Sequence, residues 1–233
     1  MPRGRLHAGT SGYSYKEWKG AFYPADLPER RFLEYYGGKL STVEVNNTFY
    51  RFPTESLLEG WRDGTPDGFI FAVKANQAIT HRGRLQNVGD LTRDFVTRCG
   101  LLGAKLGPIL FQLPPNLRCE EEKLARFLEA LPAGPRYAME FRHESWLQEP
   151  VFERLAGAGI ALCVSEGEDL DTPRRPTAPF SYVRLRKPEY TESELAAWRE
   201  WIHAELEAGR DVFAYLKHDE EGESPERALR LLV

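Results

Sequence analysis

The chain has 233 residues, 12% of them aromatic, which is enough for a sizeable core and sets intrinsic disorder aside. Its 31 Lys and Arg against 35 Asp and Glu leave a formal charge of -4, so bulk electrostatic attraction to nucleic acid is disfavoured while a local basic cleft remains open. Cys99, Cys119 and Cys163 are widely spaced with no C-x-x-C pair, no apolar run approaches the roughly 18 residues of a membrane span, and Met1 to Arg5 leads straight into a strand; a cytoplasmic protein with reduced thiols, no disulfide framework and no membrane association is expected.

In chain order, Leu6–Thr10 reads as a short strand running into Gly9-Thr10-Ser11-Gly12, a turn that fits a phosphate-cradling loop better than a nucleophile elbow, because it lacks G-x-S-x-G. Glu29–Tyr36 is helical in pattern. Thr42–Asn46 alternates, with Glu44 and Asn46 on one face, and Asn47–Tyr50 is read as a loop. Thr54 caps a helix carrying Leu57, Leu58 and Trp61, and Phe69–Ala75 forms the next strand with Lys74 near its end. Val88–Leu102 follows at helical spacing. Pro108–Gln112 is an apolar strand stopped by Pro114 and Pro115, and Glu120–Leu131 is an amphipathic helix.

Tyr137–Arg142 alternates again, placing Ala138, Glu140 and Arg142 on one face and Tyr137, Met139 and Phe141 on the other. A helix over 150–158, a strand over 160–166 and a proline- and charge-rich loop, Gly167–Pro179, come next. Phe180–Arg186 alternates with Tyr182, Arg184 and Arg186 together. Thr191–Ala208 carries a capping box, Thr191 with Glu194, and Gly209 as a stop; Asp211–His218 is the eighth strand and Ser224–Val233 a closing helix. The tract Asp219–Glu223 is a solvated loop. Eight strand–helix units without a linker predict one α/β domain over residues 1–233, a (β/α)8 TIM-like barrel rather than an open doubly wound sheet, since no G-x-G-x-x-G follows the first strand.

In such a barrel the loops after the strands build the site, and polar residues gather at those ends: Glu44, Asn46, Lys74, Gln112, Glu140, Arg142, Arg184, Arg186, Tyr215 and Lys217, with His143 and His218 just beyond. The carboxylates are fewer than the cations, so this mouth is read as an anion site. Arg142, Arg184, Lys74 and Lys217 would supply charge, Asn46, Gln112, Tyr50 and Trp146 would line it, and Glu140, His143 or Glu44 would transfer a proton if burial raises a carboxyl. The plainer reading is a buried ion-pair layer, such as Glu140 with Arg184, that only satisfies itself. His81 and His218 are most simply exposed, and Phe49, Tyr50 and Trp146 either stack on a ligand or pack. The absence of H-x-H or H-E-x-x-H spacing argues against a metal, and no cofactor is expected.

Gly9-Thr10-Ser11-Gly12-Tyr13, Val43-Glu44-Val45-Asn46-Asn47-Thr48-Phe49-Tyr50, Lys74 with Thr80-His81, Phe111-Gln112-Leu113-Pro114 and Glu140-Phe141-Arg142-His143-Glu144-Ser145-Trp146 together resemble the YecE-like family, a domain of unknown function. The resemblance implies a TIM barrel and places the family's polar pocket on Glu44, Asn46, Tyr50, Lys74, Gln112, Glu140, Arg142, His143 and Trp146. Arg184 also carries over, but Arg186-Lys187 and Lys217-His218 depart from the family's His-Gly and Asn-rich endings, so no mechanism transfers through them. The expected function is an enzyme, hydrolase or isomerase, acting on a small phosphate- or carboxylate-bearing substrate. The alternatives are a barrel that binds or processes nucleic acid through its phosphates and a non-catalytic ligand-binding or interaction module; the residues leave oligomeric state open.

Overall fold

The computed structural model describes residues 2–167 and 170–232. The sequence-predicted loop Gly167–Pro179 and closing helix Ser224–Val233 each extend over positions outside these, namely 168, 169 and 233. In chain order the elements are β1 (Leu6–Thr10), α1 (Phe32–Gly37), β2 (Thr42–Val45), α2 (Asn47–Tyr50), α3 (Glu55–Asp63), β3 (Ile70–Lys74), α4 (Gly89–Cys99), β4 (Leu106–Gln112), α5 (Glu121–Glu129), β5 (Tyr137–Glu140), α6 (Glu149–Ala158), β6 (Ala161–Glu166), β7 (Phe180–Leu185), α7 (Glu192–Glu207), β8 (Asp211–Leu216) and α8 (Ser224–Leu231).

The eight strands lie in the order β1-β8-β7-β6-β5-β4-β3-β2, with every paired neighbour parallel. The sheet curls into a (β/α)8 barrel because β1 and β2 meet at a bridge between Ser11 and Glu44. Ser11 N–H donates to the Leu216 carbonyl and Gly12 N–H to the Glu44 carbonyl, both at 2.8 Å. Lower in the same seam the Tyr36 hydroxyl stands in for missing ladder bonds, accepting from Thr10 N–H at 2.9 Å and donating to the Thr42 carbonyl at 3.0 Å. Closure therefore depends on close backbone approach. A Cβ on Gly9 would sit 2.1 Å from the Thr42 carbonyl oxygen. Gly9→Ala is accordingly expected to cost about 2–3 kcal/mol by wedging the seam, read as a lower urea midpoint with an unchanged slope.

Period-two alternation divides the buried residues between two cores. Residues such as Val43, Phe71, Ile109, Phe111, Met139 and Val183 pack outward against the helices, while Ala72, Leu110, Ala138, Cys163, Phe180, Tyr182, Phe213 and Tyr215 fill the barrel interior. Inside, the small and apolar lower levels give way to charge as β3, β4, β5 and β7 reach their carboxyl ends at Lys74, Gln112, Glu140 and Arg184.

The predicted capping box is present on α7, where Thr191 Oγ1 accepts from Glu194 N–H and the Glu194 carboxylate accepts from Thr191 N–H. Asn47–Tyr50, expected as a loop, is a short helical turn. It is held from outside its own sequence: Thr48 Oγ1 donates to the Lys74 carbonyl at 2.7 Å, and Asn76 Nδ2 donates to the Thr48 carbonyl at 2.8 Å. A π-helical turn, Ala78–Arg82, follows β3 and had no local signal. Among the described residues no helix is long and apolar enough to cross a membrane.

Candidate functional site

Three side chains form the floor of the barrel mouth. Arg184, rising from β7, donates through Nη1 to Glu140 Oε2 at 2.6 Å and through Nη2 to Glu44 Oε1 at 2.8 Å. All three are nearly sealed from solvent, at 2%, 1% and 0% exposure for Arg184, Glu140 and Glu44. The remaining carboxylate valences are filled as buried charge requires. Ser11 Oγ (2.8 Å) and Asn46 Nδ2 (3.2 Å) donate to Glu44 Oε1, the Tyr182 hydroxyl donates to Glu44 Oε2 (2.7 Å), and Gln112 Nε2 donates to Glu140 Oε1 (2.8 Å).

This arrangement fixes the ionisation of both acids. Burial alone would raise the Glu44 carboxyl, but Arg184, with the Tyr182 and Ser11 hydroxyls, holds it below the usual carboxylate range. Glu140 is likewise pushed up by burial and held down by Arg184, Arg186 and Gln112. Both acids are thus anions at neutral pH, the reverse of the raised carboxyl that would serve as a general acid. The condition for proton transfer by Glu140 or Glu44, a carboxyl raised by burial, is therefore not met, because the guanidinium between them together with the neighbouring cations and hydrogen-bond donors outweighs the desolvation.

Above the floor stand Lys74, His81, Arg142 and Arg186. Lys74 lies at the end of β3 with Nζ 4.2 Å from the Phe49 ring centroid. Its amine is lowered to about 8 by burial and then by the positive charge of Arg184, with Glu140 and Glu44 only partly offsetting this. His81 packs against the same Phe49 ring nearly at right angles, with centroids 4.8 Å apart, and its Nδ1 lies 2.9 Å from Thr80 Oγ1. Burial, Lys74 and Arg142 lower its pKa, so the imidazole is neutral at pH 7. Arg186 too is lowered, by burial and by Arg184, with Arg142 adding to the repulsion. The cations of the mouth therefore lie close enough to oppose one another's charge.

Other predicted residues lie away from the floor, except Asn46, which donates to Glu44 and also borders a neighbouring cavity. Trp146 is fully buried, stacked on Phe141 at 4.8 Å, and its indole N–H donates to the Leu117 carbonyl at 2.7 Å. It belongs to the packing beneath the β5 loop, not to the wall of the mouth. His143 turns toward its own loop, where Nδ1 accepts from Ser145 N–H at 3.1 Å. Tyr50 is 74% exposed beside Phe49. Asn46 joins Tyr13, Tyr15 and Trp61 around a cavity of about 190 Å3, and its buried Oδ1 has no hydrogen-bond partner among the described residues. Lys217 lines a cleft of about 390 Å3 with Lys187, His218 and Asp219. The Gly9–Gly12 turn does not present a phosphate cradle, because the Ser11 N–H is taken by the Leu216 carbonyl of β8 and the Gly12 N–H by the Glu44 carbonyl of β2.

Sequence reasoning gave Ser11 and Tyr182 no part in holding Glu44, and it set His81 aside as exposed. Tyr182 had a usable signal, since it shares the strand face of Arg184. For Ser11 and His81 no local pattern gives a direction, since one reaches Glu44 only when the ends of the sheet meet and the other lies in the π-helical turn; their only signal is that both stand in the stretches that carry the family resemblance.

The chain resembles proteins known by sequence and by structure. It is 32% identical to the UPF0759 protein YecE of Escherichia coli (strain K12) over 81% of this chain and 68% of that protein. It is 24% identical to the UPF0759 protein YunF of Bacillus subtilis (strain 168) over 97% and 93% of the two. Among solved structures, a DUF72 family protein (TM1631) from Thermotoga maritima superposes with a TM-score of 0.86 at 27% identity, covering 98% of each chain. Another, EF0366 from Enterococcus faecalis, gives 0.78 at 17% identity, with 99% of this chain and 97% of that one covered, and speaks for the fold alone. The family described as "Protein of unknown function DUF72" matches residues 7–233, and the chain belongs to that family.

Proposed function

We propose that the protein is an enzyme acting on a small anion, a phosphate- or carboxylate-bearing compound, bound at the carboxyl-end mouth of the barrel. The observation that carries this reading is the gathering of Lys74, Arg142, Arg184 and Arg186 at the carboxyl ends of β3, β5 and β7, around the sealed Glu44 and Glu140, and the lowered Lys74 and Arg186 agree with it, each depressed first by burial and then by Arg184. Bringing like charges together in a half-buried site costs stability, and a bound anion relieves that cost. Glu44 and Glu140 hold Arg184 in place and remain ionised, so they act as positioning groups. Proton transfer is assigned to His81, a neutral imidazole coupled electrostatically to Lys74 and Arg142.

Calorimetric titration with inorganic phosphate at low salt tests the reading. Binding should weaken as salt rises, and Arg142→Ala should lower affinity about tenfold or more, the worth of one charge-assisted hydrogen bond. Phosphate that fails to bind, or binds Arg142→Ala unchanged, would overturn it. The exposed ring of Tyr50 next to the mouth favours a second reading, in which a single-stranded nucleic acid lays a base on Tyr50 and a phosphate among the cations. In that case an oligonucleotide would bind far more tightly than phosphate, and Tyr50→Ala would remove the difference.

A further inference from the structure

The segment after β1 and the end of β2 border a cavity of about 190 Å3. Tyr13, Tyr15, Val45 and Trp61 line it, and among the described residues no charged side chain does. Two of its rings are held from behind. Trp61 stacks on Phe71 at 5.7 Å, and Tyr15 lies on His218 at 4.5 Å with Trp18 beside it at 4.7 Å. The walls are therefore in place before anything binds. The polar groups along them are already satisfied within the protein. Gly12 N–H donates to the Glu44 carbonyl at 2.8 Å, and the Gly12 carbonyl accepts from Thr10 Oγ1 at 2.7 Å. The Tyr13 carbonyl accepts from the Tyr23 hydroxyl, the Tyr15 hydroxyl donates to the Ser11 carbonyl at 2.7 Å, and the Asn46 carbonyl accepts from Phe49 N–H at 3.1 Å. The Asn46 Oδ1 acceptor is itself sealed from solvent. A water entering this space finds few of the two to four polar partners that would hold it. What remains is an uncharged space walled by rings, with the exposed Ser14 and Asn47 as its polar edge.

We propose that this cavity is a binding subsite for a small uncharged aromatic ring. A charged group would lose its hydration there without gaining a partner, whereas a flat ring replaces water against Tyr13, Tyr15 and Trp61 through offset or edge contacts. The volume suits one ring, since an apolar cavity of about 150 Å3 is enough to hold benzene. The subsite calls on none of the cations of the mouth, so it stands or falls apart from the anion site. It is nonetheless joined to the floor. The turn that leads into Tyr13 and Tyr15 carries Ser11, whose Oγ donates to Glu44 Oε1 at 2.8 Å, and Asn46 donates to the same oxygen at 3.2 Å. A ring seated in the cavity thus lies against the segments that hold Glu44 in place.

Benzyl alcohol is the probe, with cyclohexylmethanol as its non-aromatic counterpart and benzylammonium as its charged one. Chemical-shift titration of the intact protein is expected to show saturable binding of benzyl alcohol in the low millimolar range, as a ligand this small allows. Its affinity should exceed those of the two counterparts by about fivefold or more. Intermolecular NOEs should connect its ring protons with the rings of Tyr13, Tyr15 or Trp61. Val45→Phe places a ring of the protein's own in the space and is expected to weaken binding about tenfold or more. Absence of saturable binding, NOEs to other parts of the chain alone, or equal binding of cyclohexylmethanol or benzylammonium would overturn the proposal. These measurements use the unmodified chain, so they decide the matter even where Val45→Phe fails to fold. Benzyl alcohol that binds while phosphate does not would leave the subsite standing and remove the anion site, and the reverse result would remove the subsite alone.

Discussion

Replacing Arg184 with Met is expected to lower the unfolding free energy by about 3–5 kcal/mol at pH 7.5, because it leaves two sealed carboxylates facing each other without a counter-charge. The same substitution reverses the dependence of stability on pH. In the native protein Glu44 and Glu140 are held below the usual carboxylate range. Their contribution is therefore present above the unfolded value of about 4.3 and is lost as pH falls through the folded values. Without Arg184, burial and mutual repulsion raise both acids above their unfolded value, so the folded state binds the extra proton and stability falls as pH rises. Urea melts at about pH 5 and pH 7.5 distinguish the two signs. Adding Glu44→Gln and Glu140→Gln to Arg184→Met removes the stranded charges and is expected to recover most of the loss. A loss under about 1 kcal/mol for Arg184→Met alone would show that Lys74 and its neighbours already neutralise the acids.

Trp146→Ala is the second large effect, at about 3–5 kcal/mol, the usual cost of emptying a buried aromatic site. The indole is fully buried, stacked on Phe141, and it satisfies the Leu117 carbonyl. Trp146→Phe keeps part of the volume and strands that carbonyl, for about 1–3 kcal/mol. Thermal melts measure both, and phosphate affinity per folded molecule should be unchanged in the Phe variant. An affinity change without a stability change would instead return Trp146 to the wall of the mouth.

These two variants mark how far the sequence could be read. Alternation in 42–46, 137–142 and 180–186 correctly grouped Glu44, Glu140 and Arg184 on inward faces, because a strand's period of two needs no tertiary information. The same alternation could not show that one guanidinium would take both acids. That depends on β2, β5 and β7 converging across the barrel, with Arg184 140 residues from Glu44 and 44 from Glu140. Trp146 and His81 failed for a different reason. An aromatic or a histidine just beyond a strand reads alike whether it turns into the mouth or into the packing, and its direction is fixed by loop turns that carry little sequence signal.

The strand count, the absence of a dinucleotide fingerprint and the capping box of α7 are local or periodic properties, and the chain alone determined them, together with the barrel and the face on which its charges gather. Closure and ionisation belonged to the tertiary structure. The seam is made by Gly9, Thr10 and Ser11 meeting Thr42, Tyr36 and Glu44, residues well along the chain. The depressed amine of Lys74 and the ionised Glu44 and Glu140 follow from burial and from charges brought together by different strands. Electrostatic energy depends on distance and solvent exclusion, which no linear pattern contains.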